Sequence, residues 1–225
     1  MDRGTGVPIV FLHAGSGSSA LWQAQVDFFA GAGYRGIAYD RHARAAAADE
    51  LEALVSQLAL ERFHLVGTAA GGIVALDYAF SFPQRLRTLV VANSIFGIQD
   101  EAYVATMRRL RPSPQFDALP VEVRELGPSY RAANPAGARR WAEASRHASP
   151  QATRNRITLA LLETIRTPAL LLTGDADLYM PPSLLREVAK HFKRAKTVVV
   201  PECGHSAYWE QPEIFNKTLL DFFRS

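Results

Sequence analysis

Six short apolar runs, separated by segments long enough for helices, constrain this 225-residue chain more than any other feature. They occupy residues 8–13, 36–39, 63–66, 86–92, 168–173 and 196–200. Each is continuously hydrophobic rather than alternating, the pattern of strands covered on both faces. Helical periodicity fills residues 20–32, 46–60, 71–82, 182–192 and 207–223 between them. Strand and helix in alternation imply a mostly parallel sheet of about six strands, with right-handed crossovers and helices on both faces. The alternation breaks between about Ile95 and Thr164, where arginines, prolines and helical periodicity occur without a strand. The expected organisation is an α/β core of residues 1–94 and 165–225. Residues 95–164 are then a helical insert of three or four short helices before the last two strands. No repeat or low-complexity tract interrupts this plan.

Length and composition narrow the classes. A chain of 225 residues, 48% hydrophobic and 21% charged, suits a single globular unit with a substantial core. A formal net charge of +3, with no basic block interleaved with aromatics, argues against a nucleic-acid partner. The one cysteine, Cys203, excludes an internal disulfide framework and fits a reducing compartment. Residues 1–6 lack the apolar core of a signal peptide, and no apolar run approaches the ~20 residues of a membrane helix. The expectation is a cytoplasmic protein with no membrane partner.

Chemistry-bearing residues collect where the apolar runs end, which in a parallel sheet is where ligands bind. After the first run comes His13-Ala14-Gly15-Ser16-Gly17-Ser18-Ser19, a small-residue loop able to aim backbone N–H groups at an anion. After the third comes Gly67-Thr68-Ala69-Ala70-Gly71-Gly72, leading into the helical pattern Ile73-Val74-Ala75-Leu76. This has the form of the G-x-S-x-G turn, in which the central residue projects from a strained strand-to-helix junction. Its central residue here is Ala69, which can neither attack a carbonyl nor lose a proton. After the fifth run comes Gly174-Asp175-Ala176-Asp177, with Pro181 four residues beyond Asp177, and after the sixth comes Cys203-Gly204-His205-Ser206. Turn, carboxylate and histidine thus follow one another in the chain order of an α/β-type catalytic triad.

Together these motifs resemble those of the α/β-hydrolase superfamily, in its esterase, enol-lactonase and C–C bond hydrolase branch, from Gly4 to about Phe223. The resemblance implies that Ala69 stands at the position of the nucleophile serine. It makes His205 the general base, Asp177 rather than Asp175 the acid, and the N–H groups of Gly15 and Ala70 the oxyanion donors. The insert at 95–164 corresponds to a cap over the site, with ten arginines against seven acidic residues. One of those arginines could face a carboxylate or phenolate substrate. Substrate contacts are expected from Ser16, Trp22, Ser94, Tyr130, Arg131 and Trp141, although Trp22 could instead pack beneath the first loop. His13, His42 and His64 are expected to be structural or exposed, and Cys203 a buried inert thiol.

The implied reaction is cofactor-free and metal-free hydrolysis of a small carboxylic ester, lactone or related activated carbonyl, with C–C hydrolysis open to the same triad. The partner is a small-molecule substrate, and the chain a monomer or homodimer. The segment Tyr39-Asp40-Arg41-His42-Ala43-Arg44 departs from the family's glycine-containing loop and passes directly into a helix. Ala69 reads as a Ser→Ala replacement, of the kind made deliberately to disarm an enzyme, because acid, base and oxyanion glycine are all retained. The alternatives are a non-hydrolytic ligand-binding relative and a cofactor-free perhydrolase or oxygenase on the same scaffold.

Overall fold

A computed structural model of the chain describes residues 1–42, 46–145 and 152–225. Seven strands form one sheet: β1 (Asp2–Arg3), β2 (Val7–Leu12), β3 (Tyr34–Ala38), β4 (Phe63–Thr68), β5 (Leu86–Ala92), β6 (Ala169–Gly174) and β7 (Ala195–Val200). Their order is β1-β3-β2-β4-β5-β6-β7. All neighbours are parallel except β1 and β3, which pair antiparallel through Asp2↔Ile37 and Arg3↔Gly36. β1 exceeds the expected six strands. Two polar residues carry no hydrophobic periodicity, so only the neighbouring strand makes them a strand.

The central strands are continuously apolar because each face has its own core. On one face Val10, Leu12, Leu65, Leu89, Val91 and Leu171 pack with Leu51 and Val55 of α2 (Ala47–Gln57), Val74 of α3 (Ala70–Ser81) and Leu185 of α9 (Pro182–Ala189). On the other, Ile9, Phe11, Val66, Val90, Leu170 and Leu172 meet Val26 and Phe29 of α1 (Gln23–Gly31) and Phe215 and Leu219 of α11 (Pro212–Phe223). Odd and even residues of one strand serve opposite cores, as the two-residue pleat requires. β7 departs from the expectation of burial on both faces: Lys196, Thr197 and Val199 are exposed. It is the sheet's edge, and a lysine there discourages pairing with another chain.

Helix limits follow local chemistry. The segment expected as one helix from 207 to 223 is two, α10 (Ala207–Glu210) and α11, because Pro212 lacks an N–H and can only start a helix. The first helix likewise begins as a short 3₁₀ turn, Ser19–Trp22. Between β5 and β6 lie α4 (Glu101–Arg109), α5 (Val121–Glu125), α6 (Pro128–Ala133), α7 (Pro135–Ala144) and α8 (Leu159–Leu162), five helices among the described residues where three or four were expected. Prolines at or just before the starts of α5, α6 and α7 divide the insert into these short pieces. Residues 43–45 of the atypical loop after Asp40, and residues 146–151 with Arg146 and Pro150, lie outside the described residues. Among the described residues, no helix is long and apolar enough to cross a membrane.

Candidate functional site

The turn between β4 and α3 places Ala69 at φ 48° and ψ −118°, in the left-handed half of backbone space that non-glycine residues avoid. Such a conformation costs of order 1–3 kcal/mol and persists only where the surroundings impose it. They do so from both sides of the peptide. The Ala69 N–H donates to the carbonyls of Ala92 (3.0 Å) and Asn93 (3.1 Å). Its carbonyl accepts from Ser94 Oγ at 2.7 Å and from the Gly72 N–H at 3.0 Å.

Gly67 and Gly71 make the crossing possible. A Cβ on Gly67 would fall 2.3 Å from the Gly71 carbonyl oxygen, and one on Gly71 only 2.2 Å from that of Leu12 and 2.6 Å from that of His13. The start of α3 therefore lies against the end of β2, and the first loop comes beside the turn. The N–H groups of Gly15 and Ala70 donate to no acceptor among the described residues. That of Ala70 opens a 12-residue helix, whose positive end favours an anion.

Asp40 and Arg41 hold the first loop from behind. Asp40 Oδ1 accepts the Ser19 N–H at 2.6 Å. Arg41 donates to the carbonyls of His13 and Ala14, the latter at 3.3 Å. His13 bonds the Ala14 carbonyl through Nδ1 (2.6 Å) and accepts the Arg41 backbone N–H at Nε2 (3.2 Å). These contacts assign the neutral Nδ1–H tautomer, in keeping with burial and the Arg41 charge, which press its pKa down to about 4.

Opposite the turn, Asp177 and His205 form a buried pair, His205 Nδ1 lying 2.8 Å from each carboxylate oxygen. Asp177 also accepts the N–H groups of Tyr179 (2.8 Å) and Met180 (2.9 Å), Thr173 Oγ1–H (3.0 Å) and Asn93 Nδ2–H (3.1 Å). Burial works to raise this carboxyl, but His205 and the hydrogen bonds outweigh it and hold the pKa at about 2. For His205, burial acts downward and the Asp177 charge upward, with a net rise. A carboxylate on Nδ1–H leaves Nε2 as the free basic nitrogen. Asp175 differs: it accepts the Glu202 and Cys203 N–H groups (3.0 and 3.1 Å) and ties the loops after β6 and β7 together.

Two residues that the sequence did not single out hold this pair. Asn93, at φ 46°, donates to Asp177 and to the Gly204 carbonyl (3.0 Å) and accepts the Ala207 N–H (3.3 Å). Its one legible signal is an asparagine directly after an apolar strand, a residue that tolerates positive φ. Glu210, also buried, accepts the N–H groups of Gly127 (2.7 Å), Gly204 (3.0 Å) and Ser206 (3.1 Å), so it joins the insert to the histidine loop. Glu210→Ala strands three buried donors and is expected to cost about 3 kcal/mol or more, read as a lower urea midpoint at unchanged slope. Glu210→Gln, which keeps an acceptor oxygen, should recover part of that loss.

A cavity of about 220 Å³ lies between these parts. Gly15, Ser16, Ala69, Ala70 and His205, all anticipated from the sequence, line it. So do Ile73, Ile95, Glu125 and Tyr179, which were not anticipated. Tyr179 packs on the His205 ring at 4.6 Å between centroids. Five expected contact residues lie elsewhere. Trp22 is fully buried against Phe11 and Tyr208 beneath the sheet, because its ring area is worth more in the core than at a cavity wall. Ser94 turns its hydroxyl onto the Ala69 carbonyl and so supports the strained turn. Trp141 is buried with Leu126 and Ala138 inside the insert. Tyr130 lines a separate surface groove with Arg140 and Trp209, and Arg131 caps the Leu126 carbonyl at 3.1 Å. The apolar residues of α5, α6 and α7 pack with one another, and those of α4 and α8 pack on the main core.

Residues 9–218 match the alpha/beta hydrolase family. The chain belongs to this family. Among its relatives, a Caulobacter sp. (strain K31) protein named for carbamate hydrolysis, RutD, is 31% identical, across 95% of this chain and 89% of that protein. The 2-hydroxy-6-oxononadienedioate/2-hydroxy-6-oxononatrienedioate hydrolase of Comamonas testosteroni is 26% identical, over 98% and 89% of the two chains. The fold superposes on a thermophilic esterase from Thermogutta terrifontis with a TM-score of 0.84 and 25% identity, covering 100% of this chain and 92% of the esterase. These three relatives are called hydrolases or an esterase but differ in substrate, so the family assigns a scaffold and a broad reaction class rather than one substrate.

Proposed function

We propose that this α/β hydrolase carries a serine-hydrolase site for a small carboxylic ester, lactone or related activated carbonyl, disarmed by alanine at position 69. The observation that carries the reading is the buried Asp177–His205 pair facing the strained Ala69 turn across a small cavity. With serine at 69, His205 Nε2 would take the hydroxyl proton as the oxygen adds to the carbonyl carbon. The oxyanion would rest on the N–H groups of Gly15 and Ala70. His205 would then give its proton to the leaving group, and a water activated the same way would release the acid. Asp177 would hold the imidazole in the Nδ1–H tautomer throughout. With alanine, substrate can bind but no acyl-enzyme can form. C–C hydrolysis of a vinylogous diketone is compatible with the same residues, and the insert would roof the site.

The test is covalent labelling. Ala69→Ser, treated with a fluorophosphonate, is expected to gain one adduct mass at residue 69, while the unsubstituted chain gains none. Adding His205→Ala should abolish the label. A folded Ala69→Ser protein that stays unlabelled would mean that the pocket binds ligands without a hydrolase's chemistry.

A further inference from the structure

We propose that Glu125 makes this cavity selective for ligands bearing a cation or an N–H donor near the carbonyl, and unfavourable to ligands bearing a carboxylate. This deepens the functional reading above and rests on it for the identity of the site. The sequence suggested the reverse, an arginine of the insert presented to an anionic substrate. The two arginines nearest the cavity, Arg111 and Arg124, sit behind Tyr179. Arg111 lies 4.5 Å over the Tyr179 ring and donates to the Leu178 carbonyl at 2.9 Å. Arg124 donates to the Tyr179 hydroxyl at 3.0 Å through one terminal nitrogen, while its buried Nε has no hydrogen-bond partner among the described residues. Neither lines the cavity, whereas Glu125 does.

Glu125 ends α5, and its backbone carbonyl accepts the His205 N–H at 2.7 Å. The stem of the side chain is therefore anchored to the same loop that carries the base. Its carboxyl group has no hydrogen-bond partner among the described residues; burial raises its pKa, and the His205 and Arg124 charges, which favour the ionised form, oppose that rise. An ionised carboxyl without a donor in a site of low polarity is costly. A ligand ammonium or N–H group reaching it removes that cost and gains a charge-assisted hydrogen bond. With Glu125 ionised, a ligand carboxylate adds like-charge repulsion in poorly screened space. Asp177 does not compete for such a cation, because five hydrogen bonds already occupy it.

The test uses p-nitrophenyl esters of equal acyl length ending in a methyl, an ammonium or a carboxylate group, hydrolysed by Ala69→Ser. The expected kcat/KM ratio of ammonium to carboxylate ester is about tenfold or more. Glu125→Gln, which preserves shape, should bring that ratio close to one, and Glu125→Arg should invert it. Equal rates for the two charged esters, with the methyl ester hydrolysed normally, would overturn the proposal and leave the hydrolase reading standing. If Ala69→Ser hydrolyses none of them, the hydrolase reading fails. Calorimetric binding of the same three acyl chains, as methyl ketones, to the unsubstituted chain then still decides the charge preference.

Discussion

Ala69→Ser is expected to hydrolyse short p-nitrophenyl esters roughly 10⁴–10⁶ times faster than the unsubstituted chain, the scale lost when a triad nucleophile is removed. The size of the effect follows from how little else must change. The backbone at 69 already has the unfavourable φ of 48°, held by the Ala92, Asn93 and Ser94 contacts, so the substitution adds one oxygen without new backbone strain. The oxygen enters beside an imidazole already held by its carboxylate and beside two backbone N–H groups without acceptors among the described residues. Progress curves should show a burst of p-nitrophenolate near one equivalent if acyl-enzyme hydrolysis is slower than acylation. Rates indistinguishable from the unsubstituted chain, with folding intact by circular dichroism, would remove the basis for calling the site a hydrolase centre.

Asp177→Asn in the Ala69→Ser background is expected to lower kcat by about 10⁴, the scale seen when the carboxylate of a Ser-His-Asp triad becomes an amide. An amide can donate to Nδ1, which favours the tautomer with its proton on Nε2, where it cannot accept the serine's. The same substitution should change the pH dependence of stability on both sides. The Asp177 pKa is depressed, so its contribution is fully present above about pH 4 and is lost as pH falls through about 2. That of His205 is raised, so its contribution is fully present below about pH 6.5 and is lost as pH rises through the folded value. The pair therefore stabilises most between about pH 4 and 6.5. Urea midpoints measured at pH 3, 5.5 and 8 should show Asp177→Asn costing most at pH 5.5. An equal cost at all three would mean that the pair contributes no net charge interaction to folding.

The parts of the site legible in the sequence are those whose chemistry is local. Ala69, Ala70 and Gly71 occupy one turn, and Gly15 and Ser16 one loop, so adjacent residues identify them. Asp177 and His205 follow apolar runs, and a parallel sheet brings the ends of such runs to one edge. Asn93 and Glu210 were missed because each acts on backbone groups distant along the chain: Asn93 on Gly204 and Ala207, Glu210 on Gly127 as well as its own loop. No pattern within a single element encodes such contacts. The aromatic residues expected at the cavity were misplaced for a related reason. Large side chains are as useful to a core as to a pocket, and Trp22 and Trp141 went to cores.

The α/β class, the strand-end positions of the candidate site residues and the alanine at the turn are all written in the sequence, because apolar periodicity and glycine placement act over a few residues. What the insert contributes depends instead on long-range packing. Its helices are short and proline-divided, and their apolar faces are satisfied by packing within the insert and against the core. Which residue then faces the cavity depends on how those helices dock on the histidine loop. The Glu125 carbonyl bond to the His205 N–H and the Glu210 clamp on Gly127 set that docking. They bring Glu125 rather than an arginine to the cavity wall, a result that a count of charges along the insert could not supply.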